Sequence, residues 1–261
     1  PPEFGSFTLT IDRWKIEQEN KIGVLSAENA LTLDYLMRVE GSFNPNVVRA
    51  APTQADIDFA AGTGLEPIGL VQSVITNYDN LDIRTIEGFD IGLSFSLPPL
   101  PIGDIPFHAN YSALLDYFQS PSPAQQQLLD AQAAGSINAG ANIGGAASLL
   151  EDSGNPQSKW NASIIWKGGP FAAGVTGQYT GKVYQNNVLD PAGHPWKVQD
   201  QLSIGLWGEY TFTGPANDDT VFRLGVRNVT DEDPPLATNG YLGNLYQPYA
   251  RYWYARVQKT F

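Results

Sequence analysis

The chain is 261 residues long, with 16% charged against 42% hydrophobic and 11% aromatic residues, and its 27 acids against 15 bases give a net charge of -12. So acidic a balance lacks the basic footprint that phosphate backbones require, and nucleic acid is not expected as a partner. With no cysteine, disulfides, thiolate catalysis and Cys-ligated metals are excluded, and with only two histidines, His108 and His194, far apart in the chain, a His-based zinc site is not expected; no catalytic, cofactor-binding or metal-ligating residue is singled out. No apolar run reaches the roughly 18–20 residues of a membrane helix, and no charged-then-apolar leader is visible.

The periodic segments have period two, the mark of strands with two unlike faces. Phe7–Gln18 is the first. Phe7, Leu9 and Ile11 share a face, and Trp14 and Ile16 then take the opposite one, as a bulge near Arg13 or an exit from the membrane there would produce. In the long connection Glu19–Leu81, Leu31, Tyr35, Leu36 and Val39 fall at helical spacing within Ala27–Glu40. Thr53 is placed to cap a short helix through Ala61. Such a loop is expected to fold as a cap over a pore. Gly69–Tyr78 is apolar, but it reads as a small hairpin of this connection, or as the upper end of the next strand, rather than as a ninth strand.

Ile86–Leu97 is the clearest strand: Phe89, Ile91, Leu93, Phe95 and Leu97 alternate with Gly88, Asp90, Gly92, Ser94 and Ser96. In Pro106–Phe118, His108, Ser112 and Asp116 share a face, but at a spacing too wide for a catalytic triad. Gln119–Gln157 is rich in Ala, Gly, Gln and Ser, and its run from Pro123 favours one helix. The strand Trp160–Trp166 meets Phe171–Thr180 across a tight Gly168-Gly169-Pro170 turn. Leu202–Phe212, Phe222–Val226 and Tyr249–Phe261 complete about eight strands, near the roughly 9–11 residues that cross a bilayer when tilted.

The connections alternate. Glu19–Leu81, Gln119–Gln157, Tyr184–Trp196 and Thr230–Pro248 are the longer ones, and Pro98–Asp104, Gly168–Pro170 and Thr213–Asp219 the short ones. A meander with long loops at one end and tight turns at the other is the layout of an outer-membrane barrel, and a soluble β-sandwich has no reason to keep that parity. The fold expected is therefore all-β, a transmembrane antiparallel up-and-down β-barrel with short helices in its outer loops. Phe89, Ile91, Leu93, Phe95, Leu202, Ile204, Leu206, Phe222, Leu224 and Val226 should face lipid. Asp90, Ser94, Gln201, Ser203, Glu209, Arg223 and Arg227 should face the lumen. Arg223 and Arg227 could meet an anionic substrate, or pair with Glu209 on the preceding strand, which is the reading favoured. His194 and Trp196, in a Pro-rich turn, and Tyr241 and Tyr246 are the candidate ligand contacts, with turn structure and rim packing as their alternatives. Asp231-Glu232-Asp233 reads as a solvated acidic turn.

Four stretches carry a family likeness. They are Phe7-Thr-Leu-Thr-Ile-Asp-Arg-Trp-Lys-Ile-Glu17, Ile86-Glu-Gly-Phe-Asp-Ile-Gly-Leu93, Phe222-Arg-Leu-Gly-Val-Arg-Asn-Val-Thr-Asp231, and the closing segment from Asn239-Gly-Tyr through Tyr249-Ala-Arg-Tyr-Trp-Tyr-Ala-Arg-Val to Phe261. Together they resemble the C-terminal part of TonB-dependent receptors, the gated nutrient transporters of the Gram-negative outer membrane. Val229-Thr230 departs from the Leu-Phe frequent in that family. The resemblance implies that residues 1–261 are the last eight strands of a 22-stranded barrel whose plug domain and TonB box are not in this chain. It implies TonB-dependent uptake of a scarce nutrient, an oligosaccharide or an iron–siderophore, with no enzymatic activity and no cofactor. The implied partners are outer-membrane lipid and lipopolysaccharide, the rest of the barrel and its plug, TonB through the missing N-terminal part, and the barrel assembly machinery, for which Phe261 is the signal. The alternative is a self-contained eight-stranded outer-membrane barrel, either an anchor or a lipid-modifying enzyme.

Overall fold

The computed structural model describes residues 5–80, 83–98, 100–141, 143, 147–152, 154–214 and 219–260. Phe261, expected as the assembly signal, lies outside them, as does most of the 213–219 turn. Eight long strands form one sheet: β1 (Ser6–Gln18), β2 (Arg84–Ser96), β3 (Pro106–Gln119), β4 (Ser158–Gly168), β5 (Phe171–Thr180), β6 (Gln201–Thr213), β7 (Asp219–Arg227) and β8 (Tyr252–Thr260). They are hydrogen-bonded in chain order, so the sheet is an antiparallel meander and the fold is all-β. β1 and β8 end the ribbon, and among the described residues no pairing joins them. The eight strands match those expected. What the described residues form is an open sheet.

Strict alternation gives the sheet one apolar and one polar face. One cross-strand row runs Phe107, Ile164, Val175, Leu206, Val226, Trp253; beside it His108, Ser163, Thr176 and Gly205 are paired across β3 to β6, and Arg227 with Tyr252 across β7 and β8. The apolar face is uncovered: Phe7, Ile11, Leu224, Trp253 and Val257 are each 60–68% exposed. Aromatic pairs stand near both ends of this face. Trp160 stacks on Tyr179 (5.9 Å between centroids) and Phe171 tilts against Tyr210 (5.1 Å).

The change of face expected in β1 has its reason here. Thr10 Oγ1 donates to the Gly92 carbonyl (3.4 Å) and Trp14 Nε1 to Asp90 (2.9 Å), so the strand keeps its phase from Thr10 to Trp14. On the other face the apolar run Phe7–Leu9–Ile11 gives way to charge: Glu87 holds both Arg13 (3.6 Å) and Lys15 (3.2 Å). Apolar side chains end there because the face turns ionic; no bulge is needed.

The residues fall into two compact units. The first, Pro1–Ile16, Ile86–Asp116 and Leu150–Phe261, holds most of the sheet. Within it the 181–200 connection forms a hairpin of Val183–Leu189 and Pro195–Val198. Val183, Val198, Ala237 and Tyr246 make a small core there, with Trp196, Leu242 and Leu245 against it.

The second unit is Glu17–Thr85 and Tyr117–Leu149. Its helices follow local signals. In α1 (Ala27–Val39) the Ser26 side chain accepts from the Asn29 N–H (3.1 Å), with Glu28 in the first turn and Arg38 in the last, each favourable to the helix dipole. α2 (Gln54–Ala60) and α3 (Pro123–Ala133) each start with a capping box, Thr53 with Asp56 and Ser122 with Gln125. Leu36, Leu128 and Ile137 form this unit's core. Asp34, fully buried, accepts from Arg38 Nε, Arg49 Nε and the Asn44 N–H, each at 3.0 Å. Burial alone would raise its pKa. These donors outweigh burial and hold the carboxyl below its usual range. Val71–Val74 pairs with Val47–Arg49, and Tyr78–Asn80 with Ile22–Val24. The apolar 69–78 stretch is thus spent on small loop pairings and adds no strand to the main sheet.

Candidate functional site

The polar face has a graded composition. Near the end carrying the long connections lies an uncharged row, Asn110, Asn161, Gln178, Ser203, placed by the register of β3 to β6. Asn110 Nδ2 donates to Asn161 Oδ1 (3.3 Å). Gln247, from the connection before β8, reaches this row. Its side-chain amide donates to Gln178, its carbonyl oxygen accepts from Ser203 Oγ (3.5 Å), and its N–H donates to Gln201 Oε1 (2.8 Å).

One row further along stand Arg227 and Tyr252, then Trp207, Gly225 and Tyr254, then Glu209, Arg223 and Arg256. Arg223 donates from two nitrogens to Glu209 Oε2 (2.7 and 2.6 Å), and its guanidinium lies 4.1 Å from the Trp207 ring centroid. Trp207 lies over Gly174, and Tyr254 over Gly225; a Cβ at either glycine would come within 2.5 Å of the ring. Arg227 has no carboxylate partner among the described residues and rests against Tyr252 (6.0 Å) and Tyr254 (5.8 Å). Two cavities of about 260 and 380 Å3 open on this face and share Gln178, Ser203 and Gln247.

Asp90, Glu209, Arg223 and Arg227, expected to face a lumen, all lie on this polar face. The structure separates the arginines: Arg223 pairs with Glu209, as favoured from sequence, and Arg227 does not. Ser94 Oγ lies 3.0 Å from His108 Nδ1.

The candidate ligand contacts diverge. Asp190 Oδ1 accepts from the N–H groups of Ala192 (2.8 Å) and His194 (2.9 Å), which hold its carboxyl below the usual range. His194 is thus part of a closed turn, its ring exposed. Trp196 Nε1 donates to the Leu236 carbonyl (3.1 Å), and Tyr241 is exposed. Tyr246 is a correction: it is 2% exposed, and its hydroxyl donates to the Gly181 carbonyl (2.8 Å), so the ring packs the loop core and offers no stacking surface. Of the acidic turn, Asp231 binds Arg251 (3.2 Å) and Glu232 accepts from the Leu202 N–H (3.3 Å).

Sequence reasoning missed Gln247 and Asn228. Asn228 is buried at φ +50°, donates to the carbonyls of Glu232 (2.7 Å) and Tyr249 (3.2 Å), and accepts from the Glu232 N–H (3.0 Å). Its place directly after an arginine-bearing strand was the one available signal; Gln247, between Tyr and Pro in a loop, offered none.

No family model matches the chain. No curated protein matches it in sequence. Among solved structures, the siderophore receptor PirA from Acinetobacter baumannii is similar over 96% of this chain with a TM-score of 0.52 and 15% sequence identity. The likeness is one of fold. The chain spans 29% of the length of that receptor.

Proposed function

We propose that residues 1–261 form part of the barrel wall of a TonB-dependent receptor in the outer membrane of a Gram-negative bacterium, serving uptake of a scarce nutrient. The carrying observation is the two-faced ribbon. An apolar face left open across eight strands, backed by a face of amides and ion pairs, suits a wall between lipid and water. The aromatic pairs fit that wall. Phe171 and Tyr179 are eight residues apart on β5, about 26 Å at ~3.3 Å per residue, or roughly 20 Å of height for a strand tilted by ~40°. The apolar band of outer-membrane barrels is about 25 Å tall, with aromatic girdles at both edges. The ribbon's two unpaired outer strands support a larger barrel, because a free strand edge in lipid costs several kcal/mol for each unsatisfied group. Likeness in fold to a siderophore receptor supports the same reading.

Two measurements test it. Uptake by cells expressing the whole polypeptide should vanish when TonB is deleted, and uptake that persists would sink the transport reading. Cysteine pairs placed along β1 and β8 should fail to cross-link to one another in the membrane. Efficient cross-linking would show that eight strands close alone and would favour the small-barrel alternative.

A further inference from the structure

We infer that Arg227 is the anchoring site for a carboxylate on a small polar ligand whose remaining body is uncharged. The inference rests on the reading that the polar face lines the ligand's path. The charge arrangement comes first. Among the described residues Arg227 has no carboxylate within ion-pair distance, a status it shares with Lys159 and Arg256 among other cations, but of these it alone lines the 260 Å3 cavity. Its neighbour Arg223 has the opposite status, both its bonds going to Glu209 at 2.6–2.7 Å. The wall of this cavity therefore offers one unmatched positive charge where the sequence alone offered two candidates.

Geometry prepares that charge for an oxyanion. Tyr252 and Tyr254 contact the Arg227 guanidinium at 6.0 and 5.8 Å. Rings packed against a guanidinium limit its rotamers and leave its N–H edge for a planar acceptor, the match a carboxylate makes. The cavity beside it, about 260 Å3, is lined by Thr176, Gln178, Ser203 and Gln247, which donate and accept hydrogen bonds without charge. Through Gln178, Ser203 and Gln247 it adjoins the 380 Å3 cavity, whose lining adds Asn110, Asn161 and the cation Lys159. Of the two arginines lining the 260 Å3 cavity Arg223 is already neutralised by Glu209, so this cavity holds one free positive charge, the match for a monoanion. A monoanionic carboxylate joined to a hydroxylated or amide-bearing body fits the 260 Å3 cavity, with its charge at Arg227 and its body against Thr176, Gln178, Ser203 and Gln247.

Equilibrium dialysis of the whole polypeptide in detergent, at fixed ionic strength, tests this with labelled D-glucuronate and D-glucose as probes. Glucuronate should bind and be displaced by acetate, and glucose should bind more weakly. Arg227→Gln should weaken glucuronate roughly tenfold or more, with Arg227→Lys in between, since the charge survives and the fork is lost. Retained heat-modifiable gel mobility certifies folding of each variant. Equal binding of the two sugars, unchanged affinity in Arg227→Gln, stronger displacement by inorganic phosphate than by acetate, or no glucuronate binding to the folded wild type would each overturn the inference. None of these outcomes touches the cross-linking and TonB results that bear on the barrel itself.

Discussion

The Trp14 indole donates to the Asp90 carboxylate at 2.9 Å, lying over Gly88 as it crosses from β1 to β2. A Cβ at Gly88 would sit 2.5 Å from the ring. The glycine is thus a steric requirement of the Trp14 position, and the bond fixes the first strand pair in register. The same device recurs at Gly174 under Trp207 and at Gly225 under Tyr254.

Gly88→Val should therefore displace Trp14 and break its bond to Asp90, at a cost of about 1–3 kcal/mol, the usual range for overpacking. Gly208→Ala is the matched control, because nothing lies within 4 Å of a Cβ there. Thermal unfolding of the purified protein compares them. Equal loss in the two variants would show that strand glycines matter here for another reason.

The two faces should respond oppositely to charge. Leu206→Arg places a cation on the apolar face, where burial near a bilayer midplane costs about 2–4 kcal/mol, and Leu93→Arg should behave alike. Ser94→Arg, on the polar face, should be tolerated. Heat-modifiable mobility of membrane fractions reports assembly. Spin labels give a second readout: positions 89 and 222 should be accessible to oxygen, and 90 and 223 to a water-soluble reagent. Equal responses on both faces would argue for a water-soluble sheet.

The meander fixes which connections share an end. If the turns joining β2 to β3 and β4 to β5 are periplasmic, an epitope inserted at Gly140 or Gly193 should be reached by antibody on intact cells. One at Gly169 should be reached only after the outer membrane is opened. Ala216, in the β6–β7 turn, falls outside the described residues and belongs to the same expectation. Labelling of Gly169 on intact cells would invert the topology.

Tyr246 should confer a pH limit on the loop core around the Val183–Leu189 hairpin. Its burial, and to a lesser degree Asp200 and Tyr179, raise its pKa well above the ordinary tyrosine value, and its hydroxyl donates to Gly181. A group whose folded pKa is raised contributes its full stability below the unfolded value, about 10 for tyrosine, and loses it as pH climbs beyond that. Proteolysis of the 230–248 connection should therefore accelerate above about pH 10 in the wild type. Tyr246→Phe should be more susceptible at neutral pH by about 1–3 kcal/mol, because the Gly181 carbonyl loses its donor, and its susceptibility should rise less with pH. Identical pH profiles in the two proteins would assign the alkaline opening to other groups.

The sequence by itself determined what depends on neighbours along the chain. Pleating sends successive side chains to opposite faces, so the alternation in 86–97 and 201–212 was enough to separate Phe89 from Asp90 and Leu206 from Ser203. Capping is equally local, which is why Thr53 announced α2. Only the tertiary structure decided what depends on partners far away in sequence. Arg223 and Arg227 are indistinguishable in a one-strand pattern, sitting four residues apart on one face. The register of β6 against β7 puts Glu209 opposite Arg223 and ends at Leu206 opposite Val226, short of Arg227, so one guanidinium is neutralised and the other is left without an acid across the strand. Tyr241 and Tyr246 likewise look alike in a loop. Folding of that loop over Val183 and Val198 buries the second and leaves the first in solvent, because burial is set by which segments meet, and no local pattern encodes that meeting.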